Sequence, residues 1–246
     1  MIRANVMASA RQVWTRHLRG HLLRFDGRPA PVYPPGIGSR LLLTAAVLET
    51  IRVGAIAWLH PEIPLWVLLP SLVGLALLSV PVASGLALDQ IGFRGWRSWS
   101  VTERSYFLQV LVIASVVFPL LLGSPFADSD SPAGTPTRFW TVFVPYLFYG
   151  FYQELVYRGM IQTELVRRWS PAVGIIVANT LYTFGPLHWS YFAAVRSFAV
   201  PMFAAIFGIG LFFGVLFHRS GNLWLAATFH AIGNAFIVSS IGSTTR

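Results

Sequence analysis

The residues able to do chemistry fall in three short stretches: Tyr152-Gln153-Glu154-Leu155-Val156-Tyr157-Arg158-Gly159, Phe184-Gly185-Pro186-Leu187-His188 and His230-Ala231-Ile232-Gly233-Asn234. Each is embedded in a long aliphatic and aromatic run, where ionisable groups are costly and are usually paired or turned towards a protein-lined cavity. Glu154 and Arg158 are four apart, so on a helix they share one face at salt-bridge distance, and His230 and Asn234 share a face in the same way. A carboxylate held beside a guanidinium in a dry cavity can act as a general base towards water. Histidine and asparagine side chains can donate hydrogen bonds to an oxyanion without being charged. One carboxylate, one guanidinium, two imidazoles and one carboxamide, supplied by three apolar segments, suit hydrolysis of an amide bond at membrane depth. Phe184 would wall such a cavity, and Gly185-Pro186 would loosen the helix before His188.

The elements that must position these groups are apolar helices. The expected spans are about Leu41 to His60, Leu65 to Leu88, Tyr106 to Gly123, Phe139 to Arg168, Pro171 to at least His188 and as far as Ala194, Phe198 to Phe217, and Leu223 to Ile241. Each approaches the roughly 20 residues that a spanning helix needs. The expected fold is all-α, a polytopic integral membrane bundle of about seven to eight transmembrane helices. The first turn reads as Pro61-Glu62-Ile63-Pro64, and Asp128, Asp130, Pro132, Gly134 and Pro136 mark a polar loop on the side opposite the N-terminus.

Composition agrees. The chain has 246 residues, 55% hydrophobic and 11% charged, against about 25% charged in an ordinary soluble domain. Its formal charge of +9 comes from Arg alone among Lys and Arg, clustered at the ends of apolar runs as orientation signals are, which argues against nucleic acid as a partner and for a lipid bilayer. Alternating spans put Arg94 to Arg104, Arg167-Arg168 and Arg219 on the N-terminal side, and Arg138, Arg196 and Arg246 on the other. The positive-inside rule then makes the N-terminus cytoplasmic. Residues 1–40 form a basic tail, which reads either as an amphipathic helix on an anionic membrane surface, through Trp14, Leu18, Leu22 and Phe25, or simply as positive-inside charge. Residues 41–246 form one membrane-embedded domain, with no internal repeat in view. The polar, Arg-rich opening does not read as a cleavable signal, so the first apolar run would be an uncleaved anchor. The absence of cysteine excludes disulfides, thiolate metal sites and cysteine catalysis.

The three stretches resemble the motifs E-E-x-x-x-R, F-x-x-x-H and H-x-x-x-N of the CAAX prenyl protease and bacteriocin-processing (CPBP, ABI) family of glutamic-type intramembrane proteases. Glu154 falls on the second Glu of the first motif and Arg158 on its Arg; Phe184 and His188 match the second motif, and His230 and Asn234 the third. The resemblance covers about Phe139 to the C-terminus. It implies a multi-span protease in which a glutamate activates water without an obligatory metal or other cofactor. The implied substrate is a membrane-associated protein cleaved near its C-terminus, and the implied setting is a bacterial plasma (inner) membrane, as in sorting systems that remove C-terminal anchors. The chain departs from the pattern at Gln153, where the family has its first Glu. A carboxamide is a poor proton acceptor, so Glu154 is expected as the base, held ionised by Arg158. His188 would orient water or substrate, His230 and Asn234 would stabilise the oxyanion, and Gln153 would position substrate.

Other readings stay open at this point. The chain could be a catalytically silent membrane scaffold or immunity-type binding protein that kept the cavity and lost the first carboxylate. His188, His230 and Glu154 could form a zinc site with an open water position, although there is no H-E-x-x-H and Arg158 would oppose a cation. A small transporter would use the same charges but should show paired broken helices. Glu49 and Arg52, three apart in the first span, read as a structural pair with a smaller chance of lining a substrate path.

Overall fold

The computed structural model describes residues 34, 36–60, 62–122, 137–186, 188, 192 and 199–241. Pro61, the expected polar loop of Asp128 to Pro136, Ala194, Arg196, Arg246 and residues 1–33 of the basic tail lie outside the described residues. The helices are α1 Ile37–Leu59, α2 Leu65–Ser84, α3 Val101–Leu122, α4 residues 139–168, α5 Pro171–Phe184, α6 Ala199–Ser220 and α7 Leu223–Ile241. All regular structure among the described residues is helical. By length and composition α1, α2, α3 and α6 can cross a membrane, and α5 and Leu223–Ser239 of α7 are shorter apolar helices.

What faces outward confirms a polytopic integral membrane protein. On α3 the exposed side chains Leu108, Val112, Val116 and Leu120 repeat every four residues, which draws an apolar stripe along one helix face. A stripe of that size facing water would be an aggregation site, whereas facing lipid it is the ordinary outer surface of a membrane bundle.

Contacts between helix ends fix the topology. Arg168 Nη2 donates to Ser39 Oγ at 2.8 Å, so the end of α4 meets the start of α1. Arg138 donates to the Ser239 carbonyl, which brings the start of α4 to the end of α7. The α6–α7 turn docks on the loop between α2 and α3: Leu223 N donates to Gly92 O at 2.9 Å, Trp224 Nε1 to Arg94 O at 3.0 Å and Asn222 Nδ2 to Glu103 Oε1 at 3.4 Å. The helices therefore alternate in direction, and Arg94, Arg97, Arg104, Arg167, Arg168 and Arg219 gather at one end, as the charge pattern anticipates.

Several boundaries differ from expectation, α1 starting at Ile37 and α2 ending at Ser84 among them, and two of the differences have a clear local reason. Helix α3 starts at Val101, five residues before Tyr106, because Ser100 and Glu103 form a capping box: Glu103 N donates to Ser100 Oγ (3.2 Å) and Ser100 N to Glu103 Oε2 (2.7 Å). Helix α5 ends at Phe184 rather than at His188 or beyond. Gly185 is extended there (φ −68°, ψ 176°), and Pro186 has no N–H to continue the ladder. The 14 residues of α5 rise only about 21 Å, less than the roughly 30 Å hydrocarbon core, so His188 sits beyond a helix that stops inside the protein.

At the centre, α4 packs chiefly against α7 and also against α2, while α5 pairs with α6. Gly150 lets α4 and α7 approach closely, since a Cβ there would stand 2.7 Å from Ala231 Cα.

Candidate active site in the membrane

Helix α4 changes pitch where the chemistry lies. Its α-helical stretch Val144–Glu154 passes into π-helical turns over Leu155–Gln162, an uncommon geometry often found at functional sites. Thr163 Oγ1 satisfies the Arg158 carbonyl there, at 3.2 Å. Glu154 and Arg158 are both fully buried, with Arg158 Nε 3.5 Å from Glu154 Oε2. The guanidinium is anchored by other helices: Nη2 donates to Gly210 O at 2.9 Å and to Asn179 Oδ1 at 3.3 Å, and the group lies 4.8 Å above the Tyr182 ring. Asn179 in turn donates to Phe207 O at 2.9 Å. A methyl at Gly210 would collide with Asn179, so glycine is required for α6 to come this close.

The other oxygen of Glu154 reaches across to α7. Glu154 Oε1 is 2.7 Å from His230 Nδ1. With Nδ1–H donating to the carboxylate oxygen, Nε2 is left as an acceptor, and the Tyr182 hydroxyl lies 3.3 Å from it. Phe213 stacks on the imidazole (5.0 Å between centroids, 17° between planes) and holds its plane. The same logic fixes His188: its Nδ1 donates to the Tyr182 carbonyl at 3.0 Å, which makes its Nε2 an acceptor too.

Gln153, His188, His230 and Asn234, together with Tyr146, Tyr149 and Tyr182, line one cavity of about 170 Å³ whose other walls are apolar residues of α3, α6 and α7. Two of these groups have open valences: Gln153 Oε1 and Asn234 Nδ2 are buried without a hydrogen-bond partner. Glu154 is not in the lining. Neighbouring positions point about 100° apart around a helix, so with Gln153 facing the cavity Glu154 is turned to His230 behind it. Phe184, expected as a cavity wall, is 53% exposed and packs on Phe203 at 4.8 Å instead. The buried face of α5 runs through Ala178, Asn179, Tyr182 and Thr183, and the next position rotates off it. Among the described residues no three His, Asp or Glu side chains come together as a metal-binding group.

A second ion pair, unassigned to the site by its sequence, stands next to it. Arg52 of α1 is buried and donates through Nε to both oxygens of Glu49 (3.1 Å each), through Nη2 to Glu49 Oε2 (3.0 Å) and through Nη1 to the Tyr149 hydroxyl (3.1 Å). Tyr157 donates to Glu49 Oε2 at 3.0 Å, and Tyr152 to Leu48 O at 2.9 Å. Asn179, Tyr182 and Tyr149 have no motif of their own. The one clue to Tyr149 is its place four residues before Gln153, on the same helix face.

No curated protein and no solved structure matches the chain. A family match does exist, and it begins just before α4 and ends within α7, so it takes in all three motifs and the helices that carry them. Residues 135–236 match the family model described as "Type II CAAX prenyl endopeptidase Rce1-like".

Proposed function

We propose that the protein is an intramembrane endopeptidase that hydrolyses a peptide bond near the C-terminus of a membrane-associated protein, in the cavity between α4, α5 and α7. The family is one of proteases acting on membrane-associated proteins; the bond cut and the residue roles are our reading. The observation that carries it is the 2.7 Å contact between buried Glu154 and His230, because it sets a carboxylate behind an imidazole that faces a cavity. A base of that kind can take a proton from water, and the carboxylate stabilises the imidazolium that results.

In this reading a water donates one hydrogen to His230 Nε2, displacing the long contact with Tyr182, and its other hydrogen to His188 Nε2. Its oxygen attacks the substrate carbonyl carbon as His230 takes the proton. The carbonyl π electrons move to oxygen, and that oxyanion accepts a hydrogen bond from Asn234 Nδ2, which has no partner within the protein. On collapse the C–N bond breaks and His230 returns the proton to the leaving amine. Gln153 Oε1 accepts from a substrate N–H and so orients the bond. The roles differ from the expectation in two respects: His230, backed by Glu154, takes the place of Glu154 as the base, and neither ring N–H remains to serve the oxyanion. We place the protein in a bacterial plasma (inner) membrane with its N-terminus cytoplasmic, on the strength of the arginines gathered at one end of the bundle.

The test compares the C-termini of membrane proteins, by mass spectrometry, in cells carrying the wild-type chain and cells carrying Glu154→Gln. Truncated C-termini that appear only with wild type are the expected result. Identical profiles, with the variant folded in detergent and a deletion phenotype intact, would instead favour a binding protein that uses the cavity without chemistry.

A further inference from the structure

An amide-bond hydrolase of this kind is short of one component. Oxyanion sites work through fixed donors aimed at the developing charge. Here the N–H of His230 is committed to Glu154, and that of His188 to the Tyr182 carbonyl. Asn234 Nδ2 is one donor in the lining; a second is the Tyr149 hydroxyl.

We propose that Tyr149 is a further catalytic residue, donating its hydroxyl hydrogen to the oxyanion beside Asn234, and that the buried Arg52–Glu49 pair of α1 is the device that positions it. The proposal rests on the active-site reading above. Tyr149 lies one helical turn before Gln153 and lines the same cavity. Its oxygen already accepts from Arg52 Nη1 at 3.1 Å, and the Gln153 side chain, one turn on, hydrogen-bonds the same phenol. A phenol whose oxygen is occupied by a cationic donor has its hydrogen left to give, and polarisation along the chain strengthens that donor. The guanidinium cannot swing away, because Glu49 holds two of its nitrogens from below and Tyr157 holds Glu49. A pair that served only to fasten α1 to α4 would be complete with Tyr152 on Leu48 and Tyr157 on Glu49; the bond from Arg52 to a cavity-lining phenol adds nothing to that fastening that a shorter residue could not supply. No proton is transferred: during water attack the carbonyl oxygen gains the electron pair, and Tyr149 only hydrogen-bonds it.

The experiment follows appearance of truncated C-termini after pulse labelling, in cells carrying the wild-type chain, Tyr149→Phe, Arg52→Gln, the two combined, and Glu154→Gln. Loss of one oxyanion donor slows chemistry about 10²–10³-fold, so Tyr149→Phe should slow cleavage by that factor while uncut precursor still co-purifies with it. Arg52→Gln should slow cleavage at least tenfold alone and add little in the Tyr149→Phe background, because its effect runs through the phenol. Wild-type rates with Tyr149→Phe while Glu154→Gln is dead would overturn this proposal and leave the active-site reading standing. Full additivity of the two changes would reduce Arg52 to a structural role and overturn the positioning half. If Glu154→Gln cleaves as wild type does, the active-site reading fails and takes this proposal with it.

Discussion

Gly150 of α4 and Ala231 of α7 touch so closely that a single added Cβ would sit 2.7 Å from Ala231 Cα and 3.1 Å from the His230 carbonyl carbon. The contact lies one turn before Glu154 on α4 and next to His230 on α7, so it sets the helix separation that a 2.7 Å carboxylate–imidazole bond requires.

Gly150→Ala should therefore part α4 from α7. We expect a loss of about 1–3 kcal/mol from overpacking, and cleavage reduced far beyond what that loss explains, because Glu154 and His230 no longer meet. Gly208→Ala is the control: nothing lies within 4 Å of a Cβ there. In mid-helix, replacing glycine by alanine gains about 0.5–1 kcal/mol. Thermal midpoints in detergent and the yield of truncated C-termini separate the two, and equal behaviour of the two variants would refute the close-packing account.

Among the described residues Arg158 is the one Arg paired with Glu154, and both side chains are fully buried. Truncating one member of such a pair leaves the other uncompensated, at a cost of about 3–5 kcal/mol. Arg158→Met should fall in that range, and adding Glu154→Gln should recover part of the lost stability without recovering cleavage. A double variant no more stable than Arg158→Met would show that the bonds from Arg158 to Gly210 and Asn179, rather than its charge, carry the cost.

The sequence made the bundle and its three motifs legible because both rest on local signals: apolar run length, arginine placement and fixed spacing. It could not show which way Glu154 turns. Gln153 and Glu154 are adjacent letters, but the helix sends one into the cavity and the other to His230, and only the position of α7 decides between them. The early end of α5 is half visible in Gly185-Pro186, and the start of α3 at Val101 is written in Ser100 and Glu103, whose capping box lies ahead of the apolar run that hydropathy delimits. Tyr149, Tyr182 and Asn179 were hidden because aromatic and amide side chains in apolar helices are ordinary packing residues, and nothing in one dimension says that Arg52, about a hundred residues earlier, reaches one of them.

Gln153 tests whether a carboxylate belongs in this cavity. Its Oε1 lacks a partner, and among the described residues no Asp, Glu or Arg lines the cavity. Gln153→Glu places a second acceptor where water and substrate meet, so cleavage should continue at the wild-type rate or faster, and in the Glu154→Gln background it should restore measurable activity. A drop of more than tenfold in the wild-type background would mean that the amide hydrogens of Gln153, and not its oxygen, hold the substrate.

Sidedness is testable because the chain has no cysteine, so any single introduced thiol reports alone. The loop between α2 and α3 and the α6–α7 turn share one end of the bundle through Trp224 and Arg94, while the α1–α2 turn lies at the other. Of the residues in these turns, Trp96 is 48% exposed, and Glu62 is also exposed. With the N-terminus cytoplasmic, a membrane-impermeant maleimide added to intact cells or spheroplasts should label Glu62→Cys and spare Trp96→Cys until the membrane is opened. The reverse pattern would invert the orientation and turn the arginine-rich end outward, against the bias that basic loops impose on insertion. Labelling of both from outside would break the alternation of helices itself, which the contacts of Arg168 with Ser39 and of Arg138 with Ser239 require.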